Sequence, residues 1–146
     1  MIRRLTAVMA LFSFCTVHAA QLDAKPGLWK MTQDGEEEEF ECISAKDLAD
    51  SSEWIRKARE DMGADCTMSD VKQSSRQVSF STSCSSATSK GSGSVQIVFE
   101  SPTKSEFRYS FKGSTAAGGQ TIPIVLDIHQ RGQWISPDCG EHAEDE

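Results

Sequence analysis

Three features of the chain predict an α+β fold, a curled antiparallel β-sheet meander of six to seven strands with one helix packed on it and two disulfides. Short segments that alternate apolar and polar side chains recur from Gly27 onward, each bounded by turn residues. One stretch, Ser44 to Met62, replaces that period of two with a helical one. Cys42, Cys66, Cys84 and Cys139 follow an apolar leader, the pattern of an exported, disulfide-bonded domain.

The leader, MIRRLTAVMALFSFCTVHAA, has a basic start in Arg3 and Arg4, an apolar run from Leu5 to Phe14, and Val17-His18-Ala19, small enough at its ends for cleavage. It reads as a secretory signal peptide cut after Ala19, with Ala20 the neighbouring alternative, and is too short and wrongly flanked for a membrane-spanning helix. Cys15 follows Phe14, where a lipidation site needs a small side chain, so an acyl anchor is disfavoured. No later apolar run reaches the ~20 residues that cross a bilayer. Residues 1–19 are therefore expected to be removed. Residues 20–146 are left as one periplasmic or secreted domain with a frayed acidic tail at 140–146.

The central stretch 65–84, DCTMSDVKQSSRQVSFSTSC, reads as a β-hairpin. With Ser74, Ser75 and Arg76 as a three-residue turn, Cys66 stands opposite Cys84, Met68 opposite Thr82 and Asp70 opposite Phe80. Cys66, Met68, Val78, Phe80 and Cys84 then share one face, and Thr67, Ser69, Gln77, Ser79, Ser81 and Ser83 share the solvated other. This geometry favours a Cys66–Cys84 bridge and leaves Cys42–Cys139. The rival pattern, Cys42–Cys66 with Cys84–Cys139, would instead fasten the two ends of the helix. No Cys-x-x-Cys occurs and no histidine stands at zinc-finger spacing, so the cysteines read as structural.

Before that hairpin, Pro26-Gly27 opens a strand over residues 26–33 with Trp29 and Met31 on one side, Leu28 and Lys30 on the other. Asp34-Gly35 turns it into a return strand, Glu36 to Cys42. The glutamates Glu36 to Glu39 alternate between two faces there, which suits a solvated edge and not a calcium site. Ser44 and Asp47 form a capping-box start, Leu48, Ile55, Ala58 and Met62 make one apolar stripe, Ser51-Ser52 divides the helix, and Gly63 ends it. After the central hairpin, Ser85 to Ser94 reads as a mobile loop. Val95, Ile97 and Phe99, then Phe107, Tyr109 and Phe111, mark two strands joined by a turn at 101–104. Gly113 to Gly119 reads as a second loop. Ile122, Ile124, Leu126 and Ile128 line one face of a last long strand, opposite Pro123, Asp127 and His129, with a bulge permitted at Gly132 before Trp134 and Ile135.

Loss of Arg3 and Arg4 takes the formal net charge from −7 to −9, a balance that repels polyphosphate and excludes sequence-independent nucleic-acid binding. No asparagine is present, hence no N-glycosylation site. No G-x-S-x-G occurs. His129 beside Asp127 is the one conceivable acid–base pair, and it reads as a surface hydrogen bond. His142 lies in the acidic tail, and Trp29 and Trp134 read as packing groups. No catalytic, metal-binding or cofactor-binding residue is assigned, no cofactor is called for, and the protein is expected not to be an enzyme.

The signal peptide, Pro26-Gly27-Leu28-Trp29, the Cys42-Ile43-Ser44-Ala45-Lys46-Asp47 helix entry, Asp65-Cys66, Cys84, the strand entry at Gly91 and Gly93, and Asp138-Cys139 together resemble the bacterial domain-of-unknown-function family 3617, over essentially the whole mature chain. The resemblance implies a small exported protein and brings no catalytic residues. The first hairpin departs from that pattern, with Asp34-Gly35 and the glutamates where such proteins often carry a longer Met- and Pro-rich connection.

Two functions fit these residues. The first is a non-catalytic envelope protein whose surface binds another protein or a cell-envelope component. The second is a carrier of a small apolar or lipid-like ligand between sheet and helix. Surplus apolar side chains beyond what the helix stripe covers would favour the second. The sequence favours the first, because Phe80, Phe99, Phe107, Tyr109, Phe111, Leu126 and Ile128 can pack against Leu48, Ile55 and Met62 without a void. Partner and oligomeric state are not legible.

Overall fold

The structure, a computed structural model, describes residues 20–34 and 37–142, with Glu37 described by its backbone alone. The proposed signal peptide, the turn residues Gly35 and Glu36, and tail residues 143–146 lie outside the described residues. The strands are β1 Gly27–Gln33, β2 Glu37–Ile43, β3 Cys66–Ser74, β4 Gln77–Ser85, β5 Ser89–Ser101, β6 Lys104–Ala117 and β7 Gln120–Ser136. Helices α1 Ala45–Ala49 and α2 Ser51–Asp61 lie between β2 and β3.

The seven strands form one open antiparallel sheet in the order β2-β1-β7-β6-β5-β4-β3. The expected arrangement in sequence order holds for the β1–β2 hairpin and from β3 to β7, but not between β2 and β3. The first hairpin instead pairs through β1 with β7, placing Trp29 beside Trp134 and Met31 beside Gly132. Strands β2 and β3 thus become opposite edges, and the chain joining them has to cross the sheet. That crossing is the helical segment. Its Leu48 and Ile55 are buried with Trp29, Val78 and Phe99 of the sheet and with Leu22 of the N-terminal segment.

The helix forms as its sequence dictates. Ser44 Oγ accepts from the Asp47 N–H, while the Asp47 carboxylate accepts from the Ser44 N–H, closing a capping box. The expected division falls at Asp50, whose carboxylate accepts from the Ser52 N–H and caps α2. Gly63, with φ +74°, ends the segment.

The central hairpin keeps its expected outer register, Cys66 opposite Cys84 and Met68 opposite Thr82, but not its expected turn. Ser74 pairs with Gln77, so Ser75 and Arg76 alone make the turn. The remaining residue is taken up by a bulge, where Asp70 and Val71 together stand against Phe80 and Asp70 adopts φ +52°. Aspartate tolerates that conformation better than most side chains. Beyond the bulge Gln73, not Lys72, faces inward opposite Val78, and it accepts a hydrogen bond from the fully buried Ser51 hydroxyl at 2.9 Å.

Both predicted loops are strand. Gly91 and Gly93 lie in β5, and β6 runs to Ala117, leaving only short turns at 86–88 and at Gly118-Gly119. The glycines are there for contact, not for mobility. A Cβ on Gly91 would stand 2.4 Å from Phe111 Cζ and 2.7 Å from the Lys112 carbonyl oxygen. The ring of Phe111 thus lies across the glycines of the neighbouring strand, a known way of stabilising glycine in sheets. Hydroxyl pairs, Ser94 with Ser110 at 3.0 Å and Ser89 with Thr115 at 2.9 Å, hold the same ladder. The bulge expected at Gly132 lies one turn of the ladder later, where Ile135 is the extra residue between Trp134 and Ser136. Gly132 itself stays in register and leaves room for the Ser105 hydroxyl and the Met31 sulfur.

Candidate functional site

Disulfides join Cys42 to Cys139 and Cys66 to Cys84, the favoured pairing. The first ties edge strand β2 to the chain leaving β7, and the second clamps the open end of the β3–β4 hairpin.

The residues singled out for chemistry disperse. His129 does not engage Asp127. Its Nε2 lies 2.6 Å from Glu106 Oε1, which also accepts from Arg108 Nη2 at 2.9 Å. The Arg108 guanidinium and then the His129 ring hold the Glu106 carboxyl below the usual carboxylate range. This group sits on the sheet face opposite the core, as the pairing of Arg108 with His129 requires. His142 stacks on Phe40 with centroids 5.4 Å apart. Trp29 is fully buried, with its indole N–H donating to the Lys25 carbonyl. Trp134 donates to the Pro26 carbonyl and carries the Lys25 ammonium 4.7 Å above its ring. Along β2, Glu39 pairs with Met31 and Glu38 with Thr32, so the glutamates divide between faces, and Glu38 meets Lys30 at 3.0 Å. Among the described residues no three His, Cys, Asp or Glu side chains gather closely enough to hold a metal ion.

What the sequence did not show is a cleft. Cross-strand register sets apolar rows on the inner face: Val78, Ile97 and Phe107 in one, Phe80, Val95, Tyr109 and Ile128 in the next, then Phe111 and Leu126. Helix α2 covers only the end of this face nearest Trp29 and Phe99, where Trp54 packs edge-on against Phe99 at 6.0 Å. An open cleft of about 590 Å³ remains beside it, floored by Val78, Phe80, Val95, Ile97 and Phe107 and walled by Ile43, Trp54 and Ala58. Its mouth carries Glu41, Asp47, Lys57 and Asp61. Lys57 Nζ lies 3.1 Å from Asp47 Oδ1. Burial raises the Asp47 carboxyl, but hydrogen bonds from Ser44 and Lys57 outweigh it and the group ends below the usual range.

The void-free packing expected of Phe107, Tyr109, Phe111, Leu126 and Ile128 is therefore not found. All but Leu126 are half-buried, and Leu126 is 45 % exposed. The physical reason is length. Two short helices present a narrow stripe, whereas β5 to β7 run 13, 14 and 17 residues and outreach it. Trp54 was missed because it falls beside, not on, the stripe of Leu48, Ile55, Ala58 and Met62. Its spacing of four from Ala58 and seven from Asp61 marks the cleft-facing side of α2.

An open seven-stranded sheet, fastened by two disulfides and crossed by a helix that leaves an apolar cleft, defines the class. The family model described as Protein of unknown function (DUF3617) matches residues 24–139, and the chain belongs to that family. No curated protein and no solved structure matches it. No helix among the described residues is long and apolar enough to cross a membrane.

Proposed function

We propose that the protein is exported, non-catalytic, and a carrier of a small apolar or lipid-like ligand held between α2 and the inner face of the sheet. One observation carries this reading: apolar side chains of four strands line an unfilled cleft of about 590 Å³, within the roughly 300–1,000 Å³ typical of small-molecule sites. Surplus apolar surface was the feature that separates the carrier from a protein whose outer surface alone works. Export is supported by the leader composition of residues 1–19 and by the two disulfides. A non-catalytic role is supported by the placement of His129 and Glu106 on the face away from the cleft.

The surface-binding reading rests on a different observation. Ile122 and Leu126, each 45 % exposed, extend the inner apolar face beyond the reach of α2, and Val125, 65 % exposed, stands on the other face of β7.

The test uses chain purified from the periplasm of an expressing bacterium. Its mass should begin at residue 20 and lie four hydrogens below the fully reduced value. Titration with the neutral fluorescent probe N-phenyl-1-naphthylamine should saturate at one per chain. The Ala58→Trp variant, which fills the cleft from an α2 position, should lose that binding while melting within a few degrees of the parent. Absence of probe binding by the parent, or equal binding by the variant, overturns the carrier and leaves the β7 surface as the site to pursue.

A further inference from the structure

The cleft carries a second kind of information in the charges around its mouth. Among the residues that line it, the acids Glu41, Asp47 and Asp61 outnumber the one cation, Lys57, whose Nζ lies 3.1 Å from Asp47 Oδ1. Asp61 is also the last residue of α2, where the outward-pointing carbonyls give a helix its partial negative charge. A carboxylate- or phosphate-headed amphiphile entering chain-first would bring its charge against a lining of net negative charge and a helix C-terminus. An ammonium head would meet complementary charge from β2, α1 and α2 together. The α2 wall adds to this, because Trp54 is aromatic, and aromatic faces attract organic cations that have left water.

Building on the carrier reading, we propose that the ligand of this cleft is an amphiphile with an apolar chain and a cationic head, a long-chain amine or quaternary ammonium. The chain lies over Val95, Ile97 and Phe107, and the head stays at the mouth beside Asp61. The interior selects for apolar bulk and the rim selects the sign of the head. Both selections operate without any covalent step.

The experiment is displacement of N-phenyl-1-naphthylamine from the full mature chain by dodecyltrimethylammonium, dodecanoate and uncharged dodecanol, each below its micellar concentration and at low salt. The cationic amphiphile should displace the probe at a concentration about tenfold below that of dodecanoate, with dodecanol between them, since helix-end and cation–aromatic contributions together are worth about 1.4 kcal/mol. In Asp61→Lys the preference, read as the ratio of the dodecyltrimethylammonium and dodecanoate midpoints, should collapse or reverse. Raising the salt to about 1 M, where screening acts within about 3 Å, should shrink the parent's preference. Probe binding with no preference for the cation, or a preference unchanged in Asp61→Lys, overturns the head-group assignment and leaves the carrier intact. Failure of the probe to bind the parent overturns the carrier and the head-group assignment with it.

Discussion

Thr82 shows what burial costs a polar side chain on the inner face. It lies in β4 between Met68 and Gly93, it is 6 % exposed, and its hydroxyl has no hydrogen-bond partner among the described residues. A buried, unpaired hydroxyl costs free energy that a methyl of the same size does not. Thr82→Val should therefore stabilise the fold by about 1 kcal/mol, read as a higher urea midpoint at unchanged slope. A lower midpoint would mean that the hydroxyl has a partner in solution. Ser51 makes the contrast. It is equally buried, yet its hydroxyl is satisfied by Gln73, and the same exchange there would strand the amide.

At the scale of the element, the helix entry is the most self-contained part of the chain. Ser44 and Asp47 satisfy each other's backbone donors, and Lys57 reaches back from α2 to the same carboxylate. Ser44→Ala should cost about 1 kcal/mol by removing the cap. The pH dependence has a definite sign. The folded Asp47 carboxyl is depressed below its unfolded value, so its contribution is fully present above the unfolded pKa, about 3.9, and is lost as pH falls through the lower folded value. Acid titration of urea stability should accordingly show the parent losing more than Ser44→Ala below about pH 4. Parallel curves would mean that the box contributes nothing in solution. Strand β5 makes the opposite point about elements, since its first half is stable only through its neighbours. Ser89 to Ser94 has little intrinsic preference for extended structure. It is held there by β4 on one side and by β6, with the ring of Phe111, on the other.

For the whole molecule, the two disulfides act over different lengths of chain. Cys42–Cys139 closes a loop of 97 residues, and Cys66–Cys84 one of 18. If bridges act mainly by restricting the unfolded chain, the long one is worth about 4.7 kcal/mol and the short one about 3. The double variant Cys42→Ser/Cys139→Ser should then unfold at the lower urea concentration, ahead of Cys66→Ser/Cys84→Ser. The reverse order would show that the hairpin clamp holds native structure and does not merely shorten the unfolded chain. The long bridge also secures the pairing that the sheet needs most. The β1–β7 ladder joins segments about a hundred residues apart, and without it the first hairpin has no place in the sheet.

Whatever depends on neighbours along the chain is legible in the amino-acid order. Alternation placed Trp29, Val78, Phe80 and Phe99 on the buried face, the Ser44–Asp47 spacing marked the helix start, and hairpin arithmetic set Cys66 against Cys84. The tertiary structure alone decided what depends on partners far away in sequence. It moved the surplus hairpin residue from the turn to Asp70 and Val71, turned Gly-rich segments into strand, and set β1 beside β7. It also gave His129 a partner on β6 in place of Asp127. The cleft belongs to this second group. Every residue that lines it was legible as apolar or charged, but a void is a mismatch between the reach of the helices and the length of the strands. That mismatch exists only once the sheet order is known, because the sheet order determines how much surface the crossing helix has to cover.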